Sequence, residues 1–234
     1  VLDAALRLPN FFPMFMTASG TIRPAKVLIL GAGVAGLQAV AIARKLGAVV
    51  EVFDVRTAVK EQVESLGGKF IEVEGAKEDE AAGGYAVEQT EDFKIKQKQL
   101  IHDHAVSSNV VICTAQIPGR KAPILIEKAT VDAMKSGSVI IDLAASTGGN
   151  CAYTEDEKVV DINGVIIVGN SNYPSEMPND ASRMYANNLL NFLKLLISDE
   201  GELVLDFDDE IVKGTCMIHN KEIVSDRLKD FYNK

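Results

Sequence analysis

Residues 26–56 read KVLILGAGVAGLQAVAIARKLGAVVEVFDVR. The apolar run 27–30 has the length and composition of a parallel strand covered on both faces, and Gly31, Gly33 and Gly36 follow it in GxGxxG spacing. Gly31 permits the tight turn, Gly33 lets the backbone approach a pyrophosphate, and Gly36 lets the next helix sit close against its strand. The amides around Val34 and Ala35 open that helix, so unpaired N–H groups and the positive end of its dipole face the anion. Phosphate is then held without a cationic side chain. A second strand over 49–53 ends at Asp54, 18 residues beyond Gly36, close to the spacing at which a dinucleotide site places the carboxylate that binds the adenosine ribose.

A lone GxGxxG also punctuates ordinary turns. Here strand, turn, helix, second strand and acid stand in the required order, and the reading is a dinucleotide site. Asp54 favours NAD over NADP, because its carboxylate faces a 2′-phosphate at close range. Arg56, two residues on, serves equally to meet a 2′-phosphate, the adenine or the pyrophosphate.

With 234 residues and 47% hydrophobic content, the chain is long enough to bury a full core. Its net charge of −9 argues against nucleic acid or an anionic membrane surface as a partner. Cys113, Cys151 and Cys216 show no paired spacing, which points to buried thiols in a reducing compartment. His102 and His104 are two apart, a spacing that sends helical side chains to different faces, so neither is expected to ligate metal. No targeting segment is visible, and the longest apolar run, 27–43, contains the glycine turn. Val1 stands inside an apolar pattern with no initiator methionine, so the sequence reads as a piece of a longer polypeptide.

Along the chain, residues 2–8 read as a helix end stopped by Pro9 and Pro13, and 17–24 as a loop. A helix over 57–66 closes at Gly67 and Gly68, and a third strand follows over 69–73. Residues 74–89, EGAKEDEAAGGYAVEQ, break the rhythm: they form a long acidic loop with a Gly83-Gly84-Tyr85 centre, either a solvated loop or a lid. A helix over 90–107 leads to strands at 109–113, 138–143 and 165–168. The expected fold is α/β, a doubly wound parallel sheet of the Rossmann type with six strands. Ligands in such sheets lie beyond the carboxyl ends of the strands, which brings Thr114, Ala115 and the loops 114–118 and 144–150 to the cofactor. From Asp180 a long amphipathic helix over 182–197 is expected, then short strands at 203–207 and 215–219, the second followed by a turn at Asn220-Lys221. The divisions are a leading helix and linker over 1–24, a dinucleotide domain over 25–179, and a tail over 180–234 that lacks a core of its own.

Several blocks go beyond a generic dinucleotide fold: GTIRPAK leading into the glycine motif (20–26), KEQVESLGGKF (60–70), GGYAVE (83–88), TAQIPGRKAP (114–123) and MKSGSVIIDLAASTGGNC (134–151). With NNLLNFLKLL (187–196) and the tail through GTC (214–216), they resemble the NAD(H)-binding component, domain I, of the proton-translocating nicotinamide nucleotide transhydrogenases. Alanine dehydrogenase resembles the same family in its dinucleotide domain. The resemblance implies direct hydride transfer between NAD(H) on this chain and NADP(H) on a partner domain, coupled to a separate proton-conducting membrane domain. It implies a homodimer peripheral to a membrane, facing the bacterial cytoplasm or a mitochondrial-type matrix. It also implies NAD contacts at the glycine turn with Val34 (Gly31, Gly33, Val34 and Gly36), at Asp54, Val55 and Arg56, and at Gly84 and Tyr85 in a mobile loop. In that family an arginine, glutamine, aspartate and serine cluster positions the nicotinamide from an N-terminal subdomain that these 234 residues do not contain. Gln116 stands where the resemblance leads one to expect leucine.

The sequence offers no acid/base pair or nucleophile, which oxidation of an alcohol or amine requires. Hydride passing directly between two nicotinamides carries no accompanying substrate proton, so positioning and exclusion of water suffice. The rival readings are the NAD domain of an alanine dehydrogenase and a non-catalytic NAD-binding module.

Overall fold

The computed structural model describes residues 1–73, 90–117, 119–225, 228, 229 and 232. The chain divides into one unit over Val1–Asn172 and a second over Tyr173–Lys234.

The first unit opens with helix α1 (Leu2–Arg7) and a small antiparallel hairpin, β1 (Phe15–Thr17) and β2 (Gly20–Ile22), in place of the expected loop. Then come β3 (Lys26–Leu30), α2 (Val34–Lys45), β4 (Val49–Phe53), a 3-10 turn over Thr57–Val59 that runs into α3 (Lys60–Ser65), and β5 (Lys69–Ile71). After α4 (Glu91–Ser107) follow β6 (Val110–Cys113), α5 (Lys128–Ala133), β7 (Val139–Asp142), β8 (Val159–Ile162) and β9 (Val165–Val168). Thr90 caps α4, its hydroxyl accepting from the Phe93 amide at 3.3 Å.

These strands form a sheet in the order β5-β4-β3-β6-β7-β9-β8. Every pairing is parallel except β8 with β9, which corrects the expected six parallel strands to seven with one antiparallel edge. The added strand exists because Asn163 and Gly164 take φ of 53° and 83°, the left-handed pair that a tight two-residue hairpin needs. Both faces of the sheet are covered, as the unbroken apolar strands require. On one face Leu28, Leu30, Phe53, Val111, Cys113 and Ile140 join Ile101 and Ala105 of α4 and Val131 of α5 in a single core. On the other, α2 packs on β3 and β4 and buries Val40 and Ala43 completely. The chain reverses direction across the sheet between β3 and β6, and at such a switch point the connecting loops part and leave a crevice.

The second unit holds α6 (Tyr173–Glu176), α7 (Pro178–Leu196), α8 (Glu210–Thr215) and a hairpin of β10 (Ile218–His219) with β11 (Glu222–Ile223). Helix α7 begins four residues earlier than its apolar pattern suggests, because Pro178 suits the first helical turn, where its missing N–H costs nothing. The strand expected over 203–207 reduces to one bridge between Ile197 and Leu203, and the strand expected from 215 starts at Ile218. Asp209 overrides the β-branched residues there: its carboxylate accepts from the amides of Ile211 at 2.8 Å and Val212 at 3.0 Å and starts α8. No helix among the described residues is long and apolar enough to cross a membrane.

Candidate functional site

The carboxyl ends of β3 and β4 bring the glycine turn and Asp54 together. Gly31 leaves β3 with φ of 102°, donates its amide to the Phe53 carbonyl at 2.8 Å, and has no room for a side chain: a Cβ would lie 2.6 Å from Thr114 Oγ1 and 3.2 Å from the Ala115 nitrogen. A Cβ on Gly36 would overlap the Gly31 carbonyl oxygen, so this glycine is what lets α2 start directly behind the turn. Gly33 is different. A Cβ there meets no atom within 4 Å, and its φ of −76° and ψ of −170° are open to any residue. The protein itself therefore gives no reason for glycine at position 33.

Gly33 is also the N-cap of α2, with no side chain closing the helix end and no acid in its first turn. Val34 is 90% exposed, and Ala35 is exposed beside it. A 12-residue helix thus presents its positive end to an open face over the crevice.

Asp54 is buried at the end of β4. Its Oδ2 accepts from the Ala32 amide at 2.7 Å, which ties the glycine turn to the second strand, and from Arg56 Nη2 at 2.8 Å. Its Oδ1 accepts from Arg56 N and from Arg56 Nε, both at 2.9 Å. The hydrogen bonds to Asp54 raise the guanidinium pKa above its ordinary value, against the opposing effect of partial burial. Val55, between them, turns onto the core beneath the sheet.

Thr114 and Ala115 stand beside the turn but keep their donors within the protein. The Thr114 amide donates to the Leu30 carbonyl at 2.8 Å, and its hydroxyl lies 3.1 Å from the Leu30 carbonyl and 3.0 Å from that of Gly31. The Ala115 amide donates to Asn150 Oδ1 at 3.0 Å. These two residues shape the turn rather than offer free donors to it. Gly84 and Tyr85, with the rest of the loop 74–89, lie outside the described residues. Gln116 donates to Thr147 Oγ1 at 3.0 Å, joining the loops that follow β6 and β7. Residue spacing carries no signal for the Asp54–Ala32 tie or for Asn150, since both are contacts between distant segments.

The arrangement suits a dinucleotide. The open Gly33 and the uncapped start of α2 leave space and positive potential for an anion such as a pyrophosphate, and the Asp54 carboxylate, held by Ala32 and Arg56, stands one strand away. Among the described residues no cluster of His, Cys, Asp or Glu is arranged to hold a metal ion.

Fold and site together define a Rossmann-type α/β protein with its crevice at the β3/β6 switch point. The sequence profile described as "Alanine dehydrogenase/PNT, C-terminal domain" matches residues 1–226, and the chain belongs to that family. It is 52% identical over 231 residues to the first segment of the NAD(P) transhydrogenase subunit alpha of Rhodospirillum rubrum, covering 97% of this chain and 60% of that protein. The crystal structure of a transhydrogenase from Sinorhizobium meliloti matches with a TM-score of 0.80 at 44% identity, over 95% of this chain and 59% of that one. An L-alanine dehydrogenase shares the fold, with a TM-score of 0.68 at 23% identity over 91% of this chain and 54% of that one. The chain thus spans about 60% of the length of these two transhydrogenase relatives.

Proposed function

We propose that this chain is the NAD(H)-binding component of a proton-translocating transhydrogenase, which passes hydride directly between NAD(H) here and NADP(H) on a partner domain. Gly33 carries this reading: it is a glycine that the fold does not need, at the open N-terminus of α2, in a chain half identical to a transhydrogenase alpha subunit. In this reading the amides of Val34 and Ala35 hold the pyrophosphate and Asp54 holds the adenosine ribose. Gly31 and Gly36 set the turn, Thr114 and Ala115 support it, and Gly84 and Tyr85 close over the ligand. Bound NAD(H) supplies the hydride chemistry, and the chain supplies binding, orientation and exclusion of water. The reading includes a homodimer, an NADP(H)-binding partner domain and a proton-conducting membrane domain.

The test mixes the full-length polypeptide with an NADP(H)-binding domain and follows hydride exchange between NADH and an oxidised NADP analogue. Exchange is expected. NADH binding without exchange counts against a transhydrogenase and leaves an NAD-binding module, whereas NAD-dependent oxidation of L-alanine without exchange points to an alanine dehydrogenase.

A further inference from the structure

The dinucleotide reading accounts for the ends of β3 and β4. It leaves unexplained two wholly buried polar side chains at the end of β7 and in the loop after it, Asp142 and Asn150. Asp142 Oδ1 accepts from the Ala144 amide at 3.0 Å. Its Oδ2 accepts from the amides of Asn150 at 2.7 Å and Cys151 at 3.0 Å and from Thr154 Oγ1 at 2.6 Å. One carboxylate therefore gathers both ends of the segment 144–154. A buried carboxylate without such donors carries a large desolvation cost, so four converging donors hold it in a single arrangement.

Asn150 extends this arrangement sideways. Its Oδ1 accepts from the Ala115 amide at 3.0 Å, and its Nδ2 donates to the carbonyls of Ala115 and Pro123, both at 2.8 Å. Its own carbonyl accepts from the amides of Leu125 and Ile126 at 2.8 and 2.9 Å. Ala115 adjoins Thr114, whose hydroxyl touches the Gly31 carbonyl. A line of hydrogen bonds thus runs along the carboxyl edge of the sheet from the glycine turn on β3, across β6, to β7. Gly148 and Gly149 sit on this line with φ of 103° and 76°, and a Cβ on Gly149 would lie 2.9 Å from Asp142 Oδ2. The absence of a side chain at Gly149 lets the loop close against the carboxylate and Thr154.

The strand order β4-β3-β6-β7 gives the line a direction relative to the ligand. Asp54 ends β4 and the pyrophosphate turn ends β3. A dinucleotide with its adenosine over β4 lays its other nucleotide over β6 and β7. From this geometry we infer that Asp142 and Asn150 are positioning residues for the nicotinamide half of the dinucleotide. They hold the contact between Gln116 and Thr147, which joins the loops after β6 and β7, in a fixed place relative to the glycine turn. The inference rests on the dinucleotide reading above and adds a role for residues that touch no part of the adenosine half.

The experiment titrates NADH and ADP-ribose against the full-length polypeptide, using nicotinamide fluorescence for the first and calorimetry for both. In Asp142→Asn the side-chain amide sets at least one N–H against a backbone N–H and weakens the remaining bonds by removing the charge. NADH binding should fall about tenfold or more while ADP-ribose binding changes by less than about twofold. Thr154→Val removes a single donor from the same carboxylate without changing side-chain shape, and a smaller loss confined to NADH is expected. Circular dichroism establishes that each variant is folded. If Asp142→Asn does not fold, the Thr154→Val comparison decides. Equal weakening of NADH and ADP-ribose, or no change in either, overturns the inference. Wild-type protein that binds NADH no more tightly than ADP-ribose also overturns it. Wild-type protein that binds neither overturns the dinucleotide reading instead.

Discussion

Gly33→Ala separates ligand binding from folding at one methyl group. Position 33 has ordinary extended dihedrals, and a Cβ there meets nothing within 4 Å, so the native backbone accepts alanine without rearrangement. Two small effects on stability then oppose each other. Replacing glycine restricts the unfolded chain and stabilises by roughly 0.4–1 kcal/mol, whereas alanine is a poorer N-cap than glycine by a few tenths to about 1 kcal/mol. The net change should lie within about 1 kcal/mol of zero, which for a chain of this size moves the melting temperature by less than about 4 °C. Binding has no such compensation. The methyl group projects into the space where a pyrophosphate approaches the α2 amides, and separating anion from amides should weaken NADH at least tenfold, about 1.4 kcal/mol.

Gly36→Ala is the internal control. Its Cβ overlaps the Gly31 carbonyl oxygen and lies 3.3 Å from Thr114 Oγ1, so overpacking of about 1–3 kcal/mol outweighs a gain in helix propensity of about 1 kcal/mol. Thermal melts and NADH titrations on the two variants give four numbers. Gly33→Ala should melt close to the wild type but bind NADH at least tenfold more weakly, whereas Gly36→Ala should melt lower. A Gly33→Ala variant that melts as low as Gly36→Ala would show that position 33 is structural after all, and unaltered NADH binding would remove the pyrophosphate from this turn.

Glu51, buried in β4, accepts from Lys26 Nζ at 2.9 Å and faces His104 Nδ1 at 2.6 Å and Lys69 Nζ at 3.8 Å. Burial alone would raise its pKa, but the hydrogen bonds from Lys26 and His104 prevail and hold it below the ordinary 4.5. With the folded value below the unfolded one, this contribution is fully present above about pH 4.5 and is lost as pH falls through the folded value. Glu51→Gln should accordingly cost about 1–3 kcal/mol in urea melts at pH 7, with the deficit shrinking below pH 4. Burial pushes the Cys151 thiol up to about 11 and the Cys113 thiol well above its usual range, so native labelling at pH 8 should modify Cys216 alone and reach all three thiols only in denaturant. Asp54→Ala should weaken NADH at least tenfold and reduce its advantage over NADPH, read by parallel titration; equal losses for both nucleotides would take the ribose away from Asp54.

Residues 26–56 make the sheet's centre legible because strand, turn and helix there are specified locally, by period and by glycine. The antiparallel edge is legible in principle, since VVDINGVIIV over 159–168 is an Asn-Gly hairpin signal, but the single Asp161 obscures the first of its strands. Helix α8 eludes a local reading for the opposite reason: Ile211 and Val212 favour a strand, and the Asp209 cap decides against it. Pairings between distant segments leave no local trace. VVEVF reads as an ordinary buried strand, yet the Glu51 within it is tolerable only because β3, β5 and α4 each send it a partner. Asp142 and Asn150 are similar, polar residues whose roles exist only once β6 and β7 lie side by side.

Asp54 shows how far such a motif determines specificity. Counted from the sequence, its carboxylate is a free acceptor that repels a 2′-phosphate. In the structure both oxygens already hold two donors each, three of the four from Arg56 and one from Ala32. A ribose diol gains its hydrogen bonds by exchange with the guanidinium, so the net binding energy from Asp54 is smaller than that of an unpaired carboxylate. The same pairing couples the two residues in selectivity. Removing Asp54 abolishes a charge that opposes the 2′-phosphate and also releases a cation that attracts it, two changes in the same direction. In Arg56→Ala the 2′-phosphate loses a cation that attracts it while the Asp54 carboxylate remains in place, so NADPH should be rejected more strongly than by the wild type while NADH is retained. Parallel NADH and NADPH titrations of this variant check the point, and an unchanged ratio of the two affinities would mean that the acid alone, and not the pair, sets the preference for NAD.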